Sequence, residues 1–227
     1  MGFDEDKISC EMQSCGKISH SENLMPMIDY TLKCAGVSLK EIDLFAVSNG
    51  PGSFTGIRIA ISTVKGLTFG TDINNCAGIS SLYSLAYNFY NSQNDILILP
   101  VIDARRKQVY NAVFDGLTGL TYIKNDRIIT ISELETELNS EFSDRRIVFA
   151  GDGAEMCYNE IKFAGKVQIP DILKKPSAKS LCMIAYEEYN CRGRCPQRPA
   201  NLVHPRILAP SYLIKTQAER EYKEKNE

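Results

Sequence analysis

The chain has 227 residues and a mass of 25.4 kDa, room for one large domain or two lobes of about 100 residues each. Its 44% hydrophobic and 24% charged content is that of an ordinary globular protein and excludes a collagen, a disordered tail or a coiled coil. A net charge of −2 excludes a strongly basic nucleic-acid coat and leaves a local basic patch open. No apolar run reaches the ~18 residues of a membrane span. The acidic start, Met1 to Lys7, lacks the apolar centre of a signal peptide. A cytoplasmic protein is therefore expected, and its cysteines should be reduced thiols. The closest pair, Cys191 and Cys195, could draw only on His20 and His204 for further zinc ligands. Scattered small hydrophobes is the better reading.

In chain order, Ile8 to Ser14 alternates apolar and polar residues and predicts a half-exposed strand. Ser21 is a candidate cap for a helix to Ala35, closed by Gly36. Leu44 to Val47 is a short buried strand. A glycine-rich turn follows from Asn49 to Gly56, then a helix from Ile57 to Phe69. Asn75 to Ile79 reads as a strand, and Leu82, Leu85, Ala86 and Phe89 recur at helical spacing behind Ser80 and Ser81. Ile96 to Ile102 and Gln108 to Phe114 should pair. Ile128 to Ile131 reads as a strand, Glu133 to Leu138 as a helix, Ile147 to Ala150 as a strand, and Ala178 to Tyr189 as a helix. Asn190 to Pro210 reads as irregular. Strands followed by helices predict an α/β fold with a mainly parallel or mixed sheet. The polar break at Asn91 to Asp95 divides the chain into an N-terminal lobe, 1–94, and a C-terminal lobe with its tail, 95–227.

The turn Gly50-Pro-Gly52-Ser53-Phe-Thr-Gly56 links a strand to a helix. Its backbone N–H groups could hold an anion at the positive helix end; equally, it could only swing the chain round. It lacks the Gly-Lys-Ser/Thr of a phosphate-binding P-loop, the glycine spacing of a dinucleotide fingerprint and the flanking glycines of a nucleophile elbow. With two histidines in the chain, Ser-His or Cys-His chemistry has little to draw on. Asp103, after an apolar strand, and Asp152, between Gly151 and Gly153, are the best-placed acids; either could contact a metal or ribose, or cap a turn. Basic residues gather at Arg105 to Lys107, Lys174–Lys175 and Arg192 to Arg198, and the ordinary expectation is a solvated face.

The two early helices carry more apolar surface than one-sided burial requires. Leu24, Met25, Met27, Ile28 and Leu32 cover about half the circumference of the first, and methionine suits adaptable contacts. In the second, Arg58 and Lys65 are the only charges, and Ile57, Ile61, Val64 and Leu67 lie on the other side. Such a helix must be covered on more than one side. The sheet supplies one cover. The other is the chain's own second lobe or another protein, and the residues alone do not choose.

The string Val47-Ser-Asn-Gly-Pro-Gly-Ser-Phe-Thr-Gly-Ile-Arg58 resembles the TsaB (YeaZ) family. His20 to Ile28, Val64 to Leu67, Ile102 to Arg105 with Val109–Tyr110, and Pro210 to Leu213 with Gln217 to Arg220 are similar to further segments of that family. The match is dense over residues 7–113 and 210–221 and loose between. The resemblance implies a two-lobed actin-like ATPase (ribonuclease H-like) fold. It implies a non-catalytic subunit of the complex that forms threonylcarbamoyladenosine beside the tRNA anticodon. Such a subunit docks through its first two helices on a TsaD-type catalytic subunit, with a TsaE-type ATPase completing the complex. It would meet tRNA only through that complex, have no cofactor of its own beyond a nucleotide held at the partner interface, and could pair with itself when alone. The partner interface would comprise Leu24, Met25, Met27, Ile28, Leu32, Ile57, Ile61, Val64 and Leu67. Gly50, Gly52, Ser53, Asp103, Gly151 and Asp152 would form the nucleotide-side loops. Alternatives are a nucleotide-hydrolysing or kinase-like enzyme of the same superfamily using Asp103, or a truncated, non-functional copy.

Two departures stand out. The family begins with an apolar strand ending in Asp-Thr-Ser, absent before Gly2 here, so the sheet is expected to lack a strand beside Leu44–Val47. Unpaired buried backbone groups there would cost ~1–3 kcal/mol each. Ala60 stands where the family commonly has glycine, and its methyl would weaken a close helix contact modestly.

Overall fold

A computed structural model describes residues 2–4, 7–14, 20–90, 95–117, 119–191 and 200–213. Strands β1 (Gly2–Asp4) and β2 (Lys7–Cys10) form an antiparallel hairpin of their own. Helix α1 (His20–Ala35) ends where Gly36 turns left-handed, φ 69°. Then come β3 (Phe45–Gly50), α2 (Phe54–Thr68), β4 (Cys76–Ser80) and α3 (Ser81–Ala86). The second half holds β5 (Ile96–Arg105), β6 (Gln108–Asp115), β7 (Thr121–Thr130), α4 (Ile131–Glu141), β8 (Arg146–Ala150), α5 (Ala154–Glu160), α6 (Ala178–Cys191) and β9 (Ala200–Val203).

Two mixed sheets organise the fold. One has the order β3-β4-β9, with β3 and β4 parallel and β9 antiparallel. The other has the order β7-β6-β5-β8, an antiparallel meander with β8 added parallel to β5. Alternation along β5 sends side chains to opposite faces. Leu97, Leu99 and Val101 join Leu134 and Leu138 of α4 and Cys157 of α5. Ile96 and Ile98 point the other way, into a core containing Ala77 and Ile79 of β4, Leu82 of α3 and Ile184 of α6. That core joins the two sheets. The outer face of the first sheet is closed by Ile57, Ile61 and Val64 of α2, packed with Val47, Cys76 and Leu208.

Several elements depart from the sequence expectation. α2 begins three residues earlier than expected, because Ser53 caps it by accepting the Gly56 N–H at 3.2 Å. β7 is ten residues long rather than a short segment from Ile128; its first half carries Lys124, Asn125 and Asp126, which hide the strand pattern. α5 and β9 were not foreseen. The pairing of β9 with β4 overturns the division at 94/95 for the last part of the chain: residues 200–203 extend the N-terminal sheet and Leu208 packs under α2. The expected break at 91–94 lies outside the described residues, as do Cys195, the arginines between 192 and 198, and the segment Gln217 to Arg220. Among the described residues no strand pairs with the outer edge of β3, and no helix is long and apolar enough to cross a membrane.

Ile61 is 4% exposed and Met25 48%. Ile61→Ala should therefore cost about 2–5 kcal/mol in urea unfolding, and Met25→Ala about 0.5 kcal/mol or less. Equal shifts in the two midpoints would contradict this packing.

Candidate functional site

Helix α1 lies across the β1–β2 hairpin and α2. Between Glu22 and Ala35 its single buried residue is polar: Thr31, whose hydroxyl donates to the Met27 carbonyl at 2.7 Å. Leu24, Met27, Ile28 and Leu32 are only half-buried, and Met25 and Tyr30 are exposed. By contrast α2, α4 and α6 each bury at least two apolar side chains.

The α2 half of the expected interface needs correction. Ile57, Ile61 and Val64 lie in the chain's own core against Val47, Cys76 and Leu208 and are closed to a partner. Helical spacing puts the three on one stripe, and the sheet takes that stripe. Leu67 and Ala60 remain half-buried at its edge. Part of α2's second cover is also intramolecular, since Lys65 Nζ donates to the Arg206 carbonyl at 3.2 Å.

The glycine-rich turn is strapped by the C-terminal part of the described chain. Ser211 N–H donates to the Asn49 carbonyl at 2.7 Å. Gly50 has φ 123°, and a side chain there would collide with the Ser211 carbonyl oxygen. Glycine is thus required by close approach of another backbone as well as by conformation. Gly52 is half-buried and Ser53 exposed, the latter's hydroxyl used as the helix cap. Beside them the Arg58 guanidinium carbon sits 3.9 Å over the Phe54 ring, Arg58 Nε donates to Tyr212 Oη at 2.9 Å, and the Phe54 and Tyr212 rings stack at 5.2 Å.

Asp103, Gly151 and Asp152 do come together, on the other sheet. The Asp103 N–H donates to Asp152 Oδ1 at 3.0 Å. The Asp103 carboxylate accepts from the Arg105 backbone at 2.7 Å and from Arg105 Nη1 at 3.1 Å. Gly151, φ 112°, would drive a side chain into the Val101 carbonyl. Both acids therefore hold a turn in which Arg105, Arg106 and Lys107 have left-handed φ of 69°, 53° and 59°. This is the turn-forming role.

One polar cluster escaped sequence reasoning. Ser80, the cap of α3, accepts the Tyr83 N–H and donates to Asp126 Oδ2 at 2.5 Å. Tyr122 Oη donates to the other Asp126 oxygen at 3.3 Å. The cluster ties β4 of one sheet to β7 of the other. Burial raises the Asp126 carboxyl above the usual carboxylate range, while the bonds from Ser80 and Tyr122 oppose the rise. Only a correct reading of β7 could have exposed it.

Comparison with known proteins names this architecture. A family model described as TsaD: tRNA N6-adenosine threonylcarbamoyltransferase matches residues 16–222. The chain is similar to the tRNA threonylcarbamoyladenosine biosynthesis protein TsaB of Escherichia coli (strain K12), 31% identical over 188 residues, which covers 82% of this chain and 80% of that one. It is 32% identical over 148 residues to the TsaB protein of Bacillus subtilis (strain 168), covering 65% and 62%. Among solved structures, YeaZ from Pseudomonas aeruginosa superposes with a TM-score of 0.68 at 27% identity over 86% of each chain. A tRNA N6-adenosine threonylcarbamoyltransferase of Symbiobacterium thermophilum matches only 53 residues, 16% of that protein. The class is the threonylcarbamoyltransferase-type domain with the actin-like, ribonuclease H-like α/β fold. Within it, coverage separates the short relatives from the transferase itself, and the chain belongs to the TsaB family.

The Asp126 cluster gives a pH prediction. A carboxyl whose folded pKa is raised contributes stability that is complete below its unfolded value, near pH 4, and is lost as pH rises through the folded value. Asp126→Asn keeps an acceptor for Ser80 and removes the charge. Its melting temperature relative to wild type should rise with pH from about 4 upward. A pH-independent difference would contradict the buried-charge account.

Proposed function

We propose that the chain is a subunit, without catalysis of its own, of the machinery that makes threonylcarbamoyladenosine in tRNA. It docks on a TsaD-type catalytic subunit through the outer face of α1 and supports that subunit's transfer reaction. One observation carries this reading: α1 places five apolar side chains, Leu24, Met25, Met27, Ile28 and Leu32, on a surface that the described residues do not close. An amphipathic helix normally closes such a face against its own core, and open apolar patches of this kind mark protein contacts. Leu67 at the edge of α2 extends the face. Ile57, Ile61 and Val64 act indirectly, by holding α2 in place beneath it.

In this reading a TsaE-type ATPase completes the complex, and any nucleotide lies between the chain and its partner rather than in a site the chain builds alone. The same face would let two copies pair when the partner is absent. Family membership supports the assignment to tRNA modification, and the chemistry of the docking face supports the mode of assembly.

The test is co-purification with a TsaD-type subunit. Met25→Glu should reduce recovery of the partner at least ten-fold, because a carboxylate would be buried unpaired at the interface. The free chain should melt within ~2 °C of wild type, since Met25 lies outside the core. Full recovery with Met25→Glu would refute docking through α1.

A further inference from the structure

The α2 surface beside the C-terminal segment combines features that the docking reading does not use. Phe54, Arg58, Lys65 and Phe69 follow one another at i, i+4, i+11 and i+15, which places them within about 60° of arc on one side of the helix. Phe54 is 41% exposed and Phe69 86%. Tyr212 and Arg206, from the segment that straps α2, lie alongside and bring a third aromatic ring and a third cation. Neither residues 44–71 nor residues 200–213 contain an aspartate or glutamate. Among the described residues Arg58, Lys65 and Arg206 form no ion pair; Arg58 Nε donates to Tyr212 Oη and Lys65 Nζ to the Arg206 carbonyl, while the backbone N–H of Arg206 donates to His204 Nδ1. In a chain of net charge −2, this strip is locally cationic.

Arg58 is also fixed in place. Stacking on Phe54 and the Nε bond to Tyr212 hold the guanidinium plane still and occupy one of its five N–H donors. The terminal nitrogens remain available as a pre-organised fork, a geometry suited to phosphate. Exposed aromatic rings beside such a fork, along a stripe about 22 Å long, match the way single-stranded nucleic acid is held: bases stack on rings, and cations follow the backbone.

We propose that this stripe, Phe54, Arg58, Lys65 and Phe69 with Arg206 and Tyr212, is a binding track for a single-stranded segment of RNA. The proposal deepens the reading above, from which it takes RNA as the polyanion. It replaces purely indirect contact with tRNA by a direct one. Charge complementarity selects the occupant. A protein partner would leave unbalanced cations against its surface unless it supplied carboxylates, whereas an RNA strand supplies both phosphates and stacking faces.

The test titrates the intact chain into a fluorescein-labelled single-stranded RNA of mixed sequence, and into the corresponding duplex, at several salt concentrations. The expected result is preference for the single strand and an affinity that falls with salt. Arg58→Ala should reduce the logarithmic salt slope by about 0.7. Phe54→Ala should weaken binding about five-fold or more without changing that slope. Tyr212→Phe, which keeps the ring and frees Arg58, should fall between wild type and Arg58→Ala. Melting temperatures control for folding, and the exposed Arg58→Glu serves if Phe54→Ala is unstable. Wild-type RNA affinity in Phe54→Ala and Arg58→Glu would overturn the proposal. So would equal binding of duplex and single strand, or loss in these variants of TsaD-type partner binding alone. Loss of partner binding in Met25→Glu with RNA binding intact is the expected separation of the two surfaces; retention of partner binding in that variant would remove the docking reading while leaving the RNA track standing.

Discussion

The seating of α2 on the β3–β4 sheet governs everything outward of it. Ile57, Ile61 and Val64 are shut against Val47, Cys76 and Leu208, and that apolar contact fixes both the position and the rotation of the helix. The strip from Phe54 to Phe69 flanks that side beside the C-terminal segment, with Phe54 and Phe69 exposed and Lys65 half-buried. Among the described residues helix α1 forms an outer layer that rests mainly on α2 and a two-stranded hairpin. A hairpin that small cannot cover a sixteen-residue helix. The half-open apolar face of α1 thus follows from where α2 sits.

The same seating explains the glycine-rich turn. For α2 to start directly after β3, the chain must reverse within a few residues, and Ser53 caps the helix as it does so. Gly50 then lies against the Ser211 backbone. The turn is a junction in which strand, helix and C-terminal segment meet. Gly50 is demanded by that crowding, and Gly52 by its φ of 155°.

Much of the architecture was legible in the residues. The apolar run Ile96 to Ile102 and the alternation of Gln108 to Phe114 announced β5 and β6, and the string from Val47 to Arg58 announced the family. Legibility failed where pattern and environment diverge. β7 carries charged residues that reach partners elsewhere: Arg127 bridges Glu137 of α4 and Asp126 meets Ser80, so the stretch before Ile128 does not read as a strand. β9 is four residues long and sits in a proline-rich stretch, where pairing with β4 decides its conformation. For the candidate site, the apolar stripe of α1 is visible in the helical spacing, and the structure leaves its residues half-buried or exposed. For α2 the residues leave the cover open, because a helical projection gives the angle between side chains without saying which angle meets the sheet; only the resemblance places Ile57, Ile61 and Val64 at a partner. Asp103 and Asp152 were rightly picked out as neighbours of a turn, and their bonds show that holding the turn is what they do.

The central claim is that the outer face of α1 is completed by another protein. Hydrogen exchange of α1 backbone amides, followed in the free chain and in the presence of a TsaD-type catalytic subunit, tests it most directly. The account predicts slower exchange across Leu24 to Leu32 on binding, with the α4 amides unchanged. Complex formation that left α1 exchange at its free rate would contradict it.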